Sequence, residues 1–308
     1  MRDRKGFALL ATLWLVVAIS ALVLGMSLAA RDRRLAVANR LEAEELDAAA
    51  RGGLAIARER LSLLLADTTL QRDDPWRDPQ RWVSETLMVG RARVIITARS
   101  LNTLVPLHAT DGEGIEGVLE GVGADGDLAD RLGEVAADWQ DGDTQVRGRG
   151  AEEGSYRRSG AVIRPRNGYF AAPREFCEVD RMPTELCAEA LPFITTLGTG
   201  RVDLNSAPVE VLRSLPGVSA PVAELIVARR GRGEEWRAVE DVLRFLPPTL
   251  QGEVTRSLPE LTRRVGYRTA ELHLIVTATL DGSPVEGRVE AVLTRAGDAA
   301  FQTWYRTS

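Results

Sequence analysis

Residues 7–30, FALLATLWLVVAISALVLGMSLAA, contain no charge, and the pattern changes sharply on both sides of them. At about 1.5 Å per residue, a helix of this length spans roughly 30 Å of hydrocarbon. Beyond it, residues 31–66 keep a helical signature: Pro is absent, Ala, Leu, Glu and Arg dominate, and Leu46, Ala49, Gly53, Ile56 and Leu64 recur at helical spacing. The pattern predicts one helix through both parts, weakened at Gly52-Gly53, with Pro75 and Pro79 as breakers after it. Period-two alternation then marks Arg91 to Ser100, Glu271 to Leu280, Val285 to Thr294 and a short stretch from Phe301 to Arg306, with Asp281-Gly282 as a hairpin turn. Residues 101–264 are helical in pattern and punctuated by Gly and Pro.

These elements predict an α+β fold. A long N-terminal helix packs on an antiparallel sheet built from 67–100 and 265–308, and 101–264 is a large inserted α-helical domain. Inside it, VDLNSAPVEVLRSLPGVSAPVAELIVARR reads as a helix-hairpin-helix unit. Asn205 or Ser206 caps the first helix, Leu215-Pro216-Gly217-Val218 forms the hairpin, Ser219 caps the second helix and Gly231 ends it.

Composition narrows the chemistry. The 308 residues carry a net charge of −5, which argues against a body built to coat nucleic acid. Only two histidines and two cysteines occur, and they form no local ligand cluster, so a Cys/His zinc site is excluded. No Gly-x-Ser-x-Gly, phosphate-binding loop or dinucleotide fingerprint is present, and the expectation is a protein that is not an enzyme. Asp138, Asp141 and Asp143, with Glu152 and Glu153 further on, form either a solvated acidic loop or a set of hard oxygen ligands suited to Ca²⁺.

The start of the chain has three readings, one of which is a plain signal anchor. A secretory signal peptide could be cut near Ala29, but its apolar core usually holds about 7–15 residues, fewer than this run. The junction Lys5-Gly6-Phe7 resembles the leader of type IV pilins and type II secretion pseudopilins. That resemblance implies a 1–6 leader, cleavage after Gly6 by a prepilin peptidase and methylation of the new amine on Phe7. Residues 7–30 would then stay in the bacterial inner membrane, with the N-terminus cytoplasmic and the body periplasmic. Most pilins place Glu at the fifth mature position, where this chain has Ala11, and in that respect it is similar to the minor pseudopilin K family. The stretches LNSAP…VLRSLPGV, Asp138 to Tyr156 and Glu175 to Leu197 also resemble segments of that family.

The resemblance implies a subunit that nucleates and caps the tip of a periplasmic pseudopilus for export of folded proteins. Its partners would be the minor pseudopilins I and J, then the major pseudopilin. It also favours Ca²⁺ at the acidic loop and, in a periplasmic compartment, a disulfide between Cys177 and Cys187. The alternative is a membrane-anchored periplasmic DNA-binding protein using the helix-hairpin-helix unit. Against it, Ser219 replaces the second hairpin Gly, and Glu224, Glu234 and Glu235 offset Arg229, Arg230 and Arg232. No nucleic acid is expected as a partner.

Overall fold

The computed structural model of the chain describes residues 3–66, 74–83, 86–297 and 299–307. Residues 1–2 of the expected leader lie outside them, as do 67–73, 84–85, 298 and 308 of the expected sheet regions.

Helix α1 (Asp3–Ala66) is a single element of 64 residues, as its content of strong helix formers dictates. Burial divides it. From Leu10 to Leu41 its side chains meet solvent, whereas Leu46, Ala50, Leu54, Ala57 and Leu61 are buried at spacings of three and four. Gly52-Gly53 does not interrupt the helix. What Gly53 provides is proximity: a Cβ there would lie 2.6 Å from Val94 Cγ1 and 3.0 Å from Val276 Cγ1. From the opposing sheet, a Cβ on Gly287 would lie 2.5 Å from the Leu46 carbonyl carbon. Two glycines therefore let helix and sheet approach more closely than any larger residue allows.

The chain continues through α2 (Gln80–Val83), β1 (Leu87–Val89) and β2 (Ala92–Ser100). Strand β2 alternates strictly, with Ala92, Val94, Ile96 and Ala98 buried under α1 and the intervening residues exposed. The insertion then begins. It holds β3 (Val105–Pro106), α3 (Gly112–Gly121), α4 (Gly126–Gln140), α5 (Glu153–Ser159), α6 (Thr184–Ala190) and β4 (Ile194–Thr195). After these come β5 (Val202–Asp203), α7 (Val209–Leu212), α8 (Ala220–Arg230), α9 (Val239–Phe245), α10 (Pro248–Arg256), α11 (Leu258–Arg264) and β6 (Val265–Gly266). The insertion is helical as expected, with two short parallel ladders added, β3 pairing with β4 and β5 with β6. Parallel partners must be joined by long crossovers, so each ladder ties together segments remote in sequence.

The chain returns to the sheet through β7 (Glu271–Thr279), β8 (Glu286–Ala296) and β9 (Ala299–Thr307). The five-stranded order is β1-β2-β7-β8-β9, antiparallel throughout. One apolar cluster joins α1 to this sheet and a second fills the insertion.

Where the chain leaves and re-enters the sheet, buried polar groups hold the junction. Asn102 Nδ2 donates to the Arg201 carbonyl at 2.9 Å, and Asn102 Oδ1 accepts from the amides of Ala270 and Glu271 at 2.8 and 2.9 Å. Glu271, 3% exposed, accepts from the Thr199 amide and hydroxyl. Buried groups this fully bonded cost little and fix orientation.

Candidate assembly surface and candidate metal site

Helix α1 contains an 18-residue window of mean hydropathy 2.3, none of it buried by the rest of the chain. It is long and apolar enough to cross a membrane. Ala11, on this segment, is exposed, and so are Leu13, Trp14 and Leu22. Apolar exposure continues past the charged stretch at 31–34. Leu35, Val37 and Leu41 are 52%, 59% and 62% exposed, the last of them beside the turn between β7 and β8. A second open surface is the sheet edge. Strand β9 pairs on one side only and exposes Phe301 and Tyr305. Gly6 and Phe7 lie within α1, and their side chains are outside the described set.

The acidic loop follows α4. Of the five carboxylates expected there, the fold brings together Asp141, Asp143 and Glu152, each offering an oxygen within 4.8 Å of the others. Asp141 Oδ1 and both Glu152 carboxylate oxygens are buried and have no hydrogen-bond partner among the described residues. Burial, then the charges of Asp138, Asp141 and Asp143, push the Glu152 carboxyl above its ordinary value. Orphaned, mutually repelling oxygens fit a hard cation.

Asp141 also pairs with Arg147 at 3.0 Å and Asp143 accepts from the Gln145 amide at 2.8 Å, and the other two candidates lie outside the group. Asp138 lies fully buried beneath the loop and accepts from the Arg147 amide at 3.2 Å, which holds the loop's shape. Glu153 pairs with Arg157 and Arg164 at 2.8 and 2.7 Å.

The hairpin segment forms a helix, a turn and a helix, with capping that differs from expectation. Helix α7 begins after Pro208. Asn205 and Ser206 instead serve Asp203, which accepts from the Asn205 amide at 3.0 Å and the Ser206 hydroxyl at 2.6 Å. Ser219 stands before α8, but its hydroxyl makes no capping bond, and Gly231 ends α8 in the right-handed region at φ −64°. The turn closes by Val218 N–H donating to Leu215 O at 3.0 Å, with Gly217 at φ +70°.

That turn is covered. A Cβ on Gly217 would lie 2.8 Å from the Glu253 carbonyl oxygen, so α10 packs directly on it. The adjoining cleft of about 550 Å³ carries Asp111, Glu113, Glu116, Glu120, Glu253 and Glu260 against Arg213 and Arg256. A phosphate brought to this hairpin meets carboxylates. Arg229 is paired with Glu234 at 2.9 Å and stacked over Phe245, and Arg230 points its guanidinium at the carbonyls of Leu204 and Ala207.

Cys177 and Cys187 are disulfide-bonded, with Cα atoms 5.4 Å apart. The bond joins the 3₁₀ turn at Pro173–Glu178 to α6. Closing so short a loop contributes on the order of 2–3 kcal/mol by the chain-entropy account.

The junction held by Asn102, Thr199 and Glu271 escaped sequence reasoning. Its only signal is an Asn that follows directly on a predicted strand, a position too common to single out.

Comparison with known proteins places these features. Residues 101–199 match the first-domain family of type II secretion system protein K. A search of curated proteins finds no match. Among solved structures, a chain of the GspK–GspI–GspJ complex from the enterotoxigenic Escherichia coli type 2 secretion system shares the fold with a TM-score of 0.64 at 17% identity. The likeness covers 90% of this chain and 99% of that one. Residues 101–199 thus carry the first domain of the type II secretion protein K family, within a chain that shares its fold with that solved structure.

Proposed function

We propose that this chain is the tip subunit of a periplasmic pseudopilus, which it nucleates and caps for export of folded proteins across the outer membrane. It acts by assembly and not by catalysis. Its partners are the minor pseudopilins I and J, then the major pseudopilin, and nucleic acid is not among them. The carrying observation is α1, which keeps Leu35, Val37 and Leu41 exposed beyond its membrane-length apolar run. Exposed apolar side chains on a helix favour contact with a neighbouring helix.

Ala11 supports the end position. Without a carboxylate there, the chain has nothing to offer the amine of a subunit ahead of it, while its own amine remains free for a subunit behind. The bulky insertion would crowd the repeat inside a filament and is harmless at its end. Asp141, Asp143 and Glu152 hold Ca²⁺ in this reading, and the ion would neutralise their repulsion and fix the loop.

Co-expressed in full length and purified in detergent with I and J, the chain should elute as a one-to-one-to-one complex by light scattering. Replacing Leu35, Val37 and Leu41 together by Asp should abolish it. A wild-type chain that stays alone at tens of micromolar, or that is found along the whole pseudopilus, would overturn the tip assignment.

Processing completes the reading. In the inner membrane, with the N-terminus cytoplasmic, a prepilin peptidase cuts after Gly6 and methylates Phe7. The intact mass of the purified chain should correspond to a start at Phe7 plus one methyl group, and Gly6→Leu should leave the precursor uncut. A chain beginning near Ala30 would identify an ordinary signal peptide instead.

A further inference from the structure

We propose that the cleft at the junction of insertion and sheet is a binding site for an acidic peptide segment, held by Arg201, Arg237 and Arg268 over an aromatic floor. The cleft encloses about 680 Å³. The segment entering β5, the loop between α8 and α9, and the return from β6 to β7 form most of it, with Asn102 and Thr262 completing the wall. The buried bonds of Asn102 and Glu271 hold the first and third of these stretches together, so the cleft is formed before any ligand arrives.

Its charge is unbalanced in a protein that is acidic overall. Most other arginines with a defined contact in the body are paired with a carboxylate or bonded to a carbonyl. Arg201 and Arg268 are exposed on the cleft wall, and no carboxylate lies within ion-pair distance of either among the described residues. Arg237 is 82% exposed and reaches Glu235 only at 3.8 Å, and that carboxylate already takes Arg77 at 2.7 Å. Three guanidinium groups therefore converge on one cleft with their donors largely unused.

The floor points the same way. Trp236 is 1% exposed and lines the cleft, yet its indole N–H has no acceptor among the described residues. Its backbone is fixed by Asn205, which accepts from the Trp236 amide and donates to its carbonyl, both at 2.8 Å. A buried donor left without an acceptor is costly, and the cost falls when a ligand supplies one. Beside it stands Tyr267, half-buried on the same wall. The spare groups of this cleft are thus donors and cations, with Glu235 beside them and the half-buried Tyr267 and Ala270 as the apolar surface.

This chemistry calls for spaced carboxylates with apolar atoms between them. A lone inorganic anion would fill a small part of the volume and leave the aromatic floor uncovered. An extended peptide alternating acidic and apolar side chains satisfies both. The argument uses the cleft alone and does not depend on the tip assignment.

The test uses the full-length chain in detergent and a short fluorescein-labelled peptide alternating Glu with Leu, read by anisotropy. Saturable binding is expected, weakening with salt and lost when the peptide carries Gln in place of Glu. Arg201→Gln with Arg268→Gln should weaken it about tenfold or more, because charge-assisted hydrogen bonds are lost. Arg58→Gln with Arg174→Gln makes the same charge change on α1 and on the 3₁₀ turn at Pro173–Glu178, away from the cleft, and should leave binding nearly unchanged. The proposal falls if both double variants lose affinity equally, if the Gln peptide binds as well, or if no saturation appears by about millimolar peptide. Displacement of the peptide by inorganic phosphate or duplex DNA at lower concentration than by unlabelled peptide would also overturn it. Circular dichroism of each variant, matching that of the parent, keeps misfolding from mimicking a positive result.

Discussion

Trp139→Ala is expected to destabilise the insertion by about 3–5 kcal/mol, the range for emptying a large aromatic site in a packed core. Trp139 closes α4, is 2% exposed, and stacks on Phe170 with ring centroids 5.5 Å apart and planes within 12°. Tyr156 packs on its other side at 5.9 Å, and Phe176 extends the cluster from Phe170. Three rings cannot close over the void without breaking the bond from the Asp180 amide to the Tyr156 hydroxyl. The acidic loop is strung between Trp139 and Tyr156, so its geometry should be lost with the core. Trp14→Ala supplies the control: that residue is 67% exposed on α1, so the fold should be almost unaffected. Chemical denaturation of the full-length protein in detergent measures both. A loss below about 1 kcal/mol for Trp139→Ala would mean the cluster is not the core of this domain.

Millimolar Ca²⁺ is expected to raise the melting temperature of the full-length chain at neutral pH. A ligand held at about a hundred times its dissociation constant, and bound only by the folded state, adds about 2.7 kcal/mol. Asp141→Asn with Asp143→Asn should abolish the response, and Glu153→Gln should leave it intact, since Glu153 is engaged with Arg157 and Arg164.

The pH dependence has a definite sign. Glu152 is raised above its ordinary value by burial first and neighbouring carboxylates second, so in chelator the folded state binds its proton more tightly than the unfolded state does. Stability in chelator should therefore rise as pH falls from neutral through that raised value towards the ordinary carboxylate range. Glu153 and Glu290 are lowered, and their contributions are lost only below that range. With Ca²⁺ present the advantage should shrink on acidification, because proton and metal compete for the same oxygens. Identical melting curves in chelator and in Ca²⁺ at neutral pH would remove the site.

The layout was legible where the signal is local. A charge-free run followed by a Pro-free stretch can satisfy its backbone only as a helix, and α1 forms over both. Period-two alternation in β2, β7 and β8, with a turn at Asp281-Gly282, follows from strands that bury one face, and these are the three central strands of the sheet. Even there, one local reading failed. Two adjacent glycines suggest a weak helix, yet Gly53 faces Val94 and Val276 and serves close approach.

What pairs with what was decided only in three dimensions. The ladders of β3 with β4 and β5 with β6 involve two residues per strand, too few for any periodicity, and their partners lie far apart along the chain. Five acidic residues near one loop could not be ranked by spacing. The fold brings oxygens of Asp141, Asp143 and Glu152 together, while Asp138 turns under the loop to hold the Arg147 amide and Glu153 pairs with two arginines. Arg201, Arg237 and Arg268 look like ordinary solvated charges in the sequence. They become a cleft because β6 pairs beside β5 and Asn102 joins the two ends of the insertion, and long-range pairing of that kind leaves no trace in local pattern.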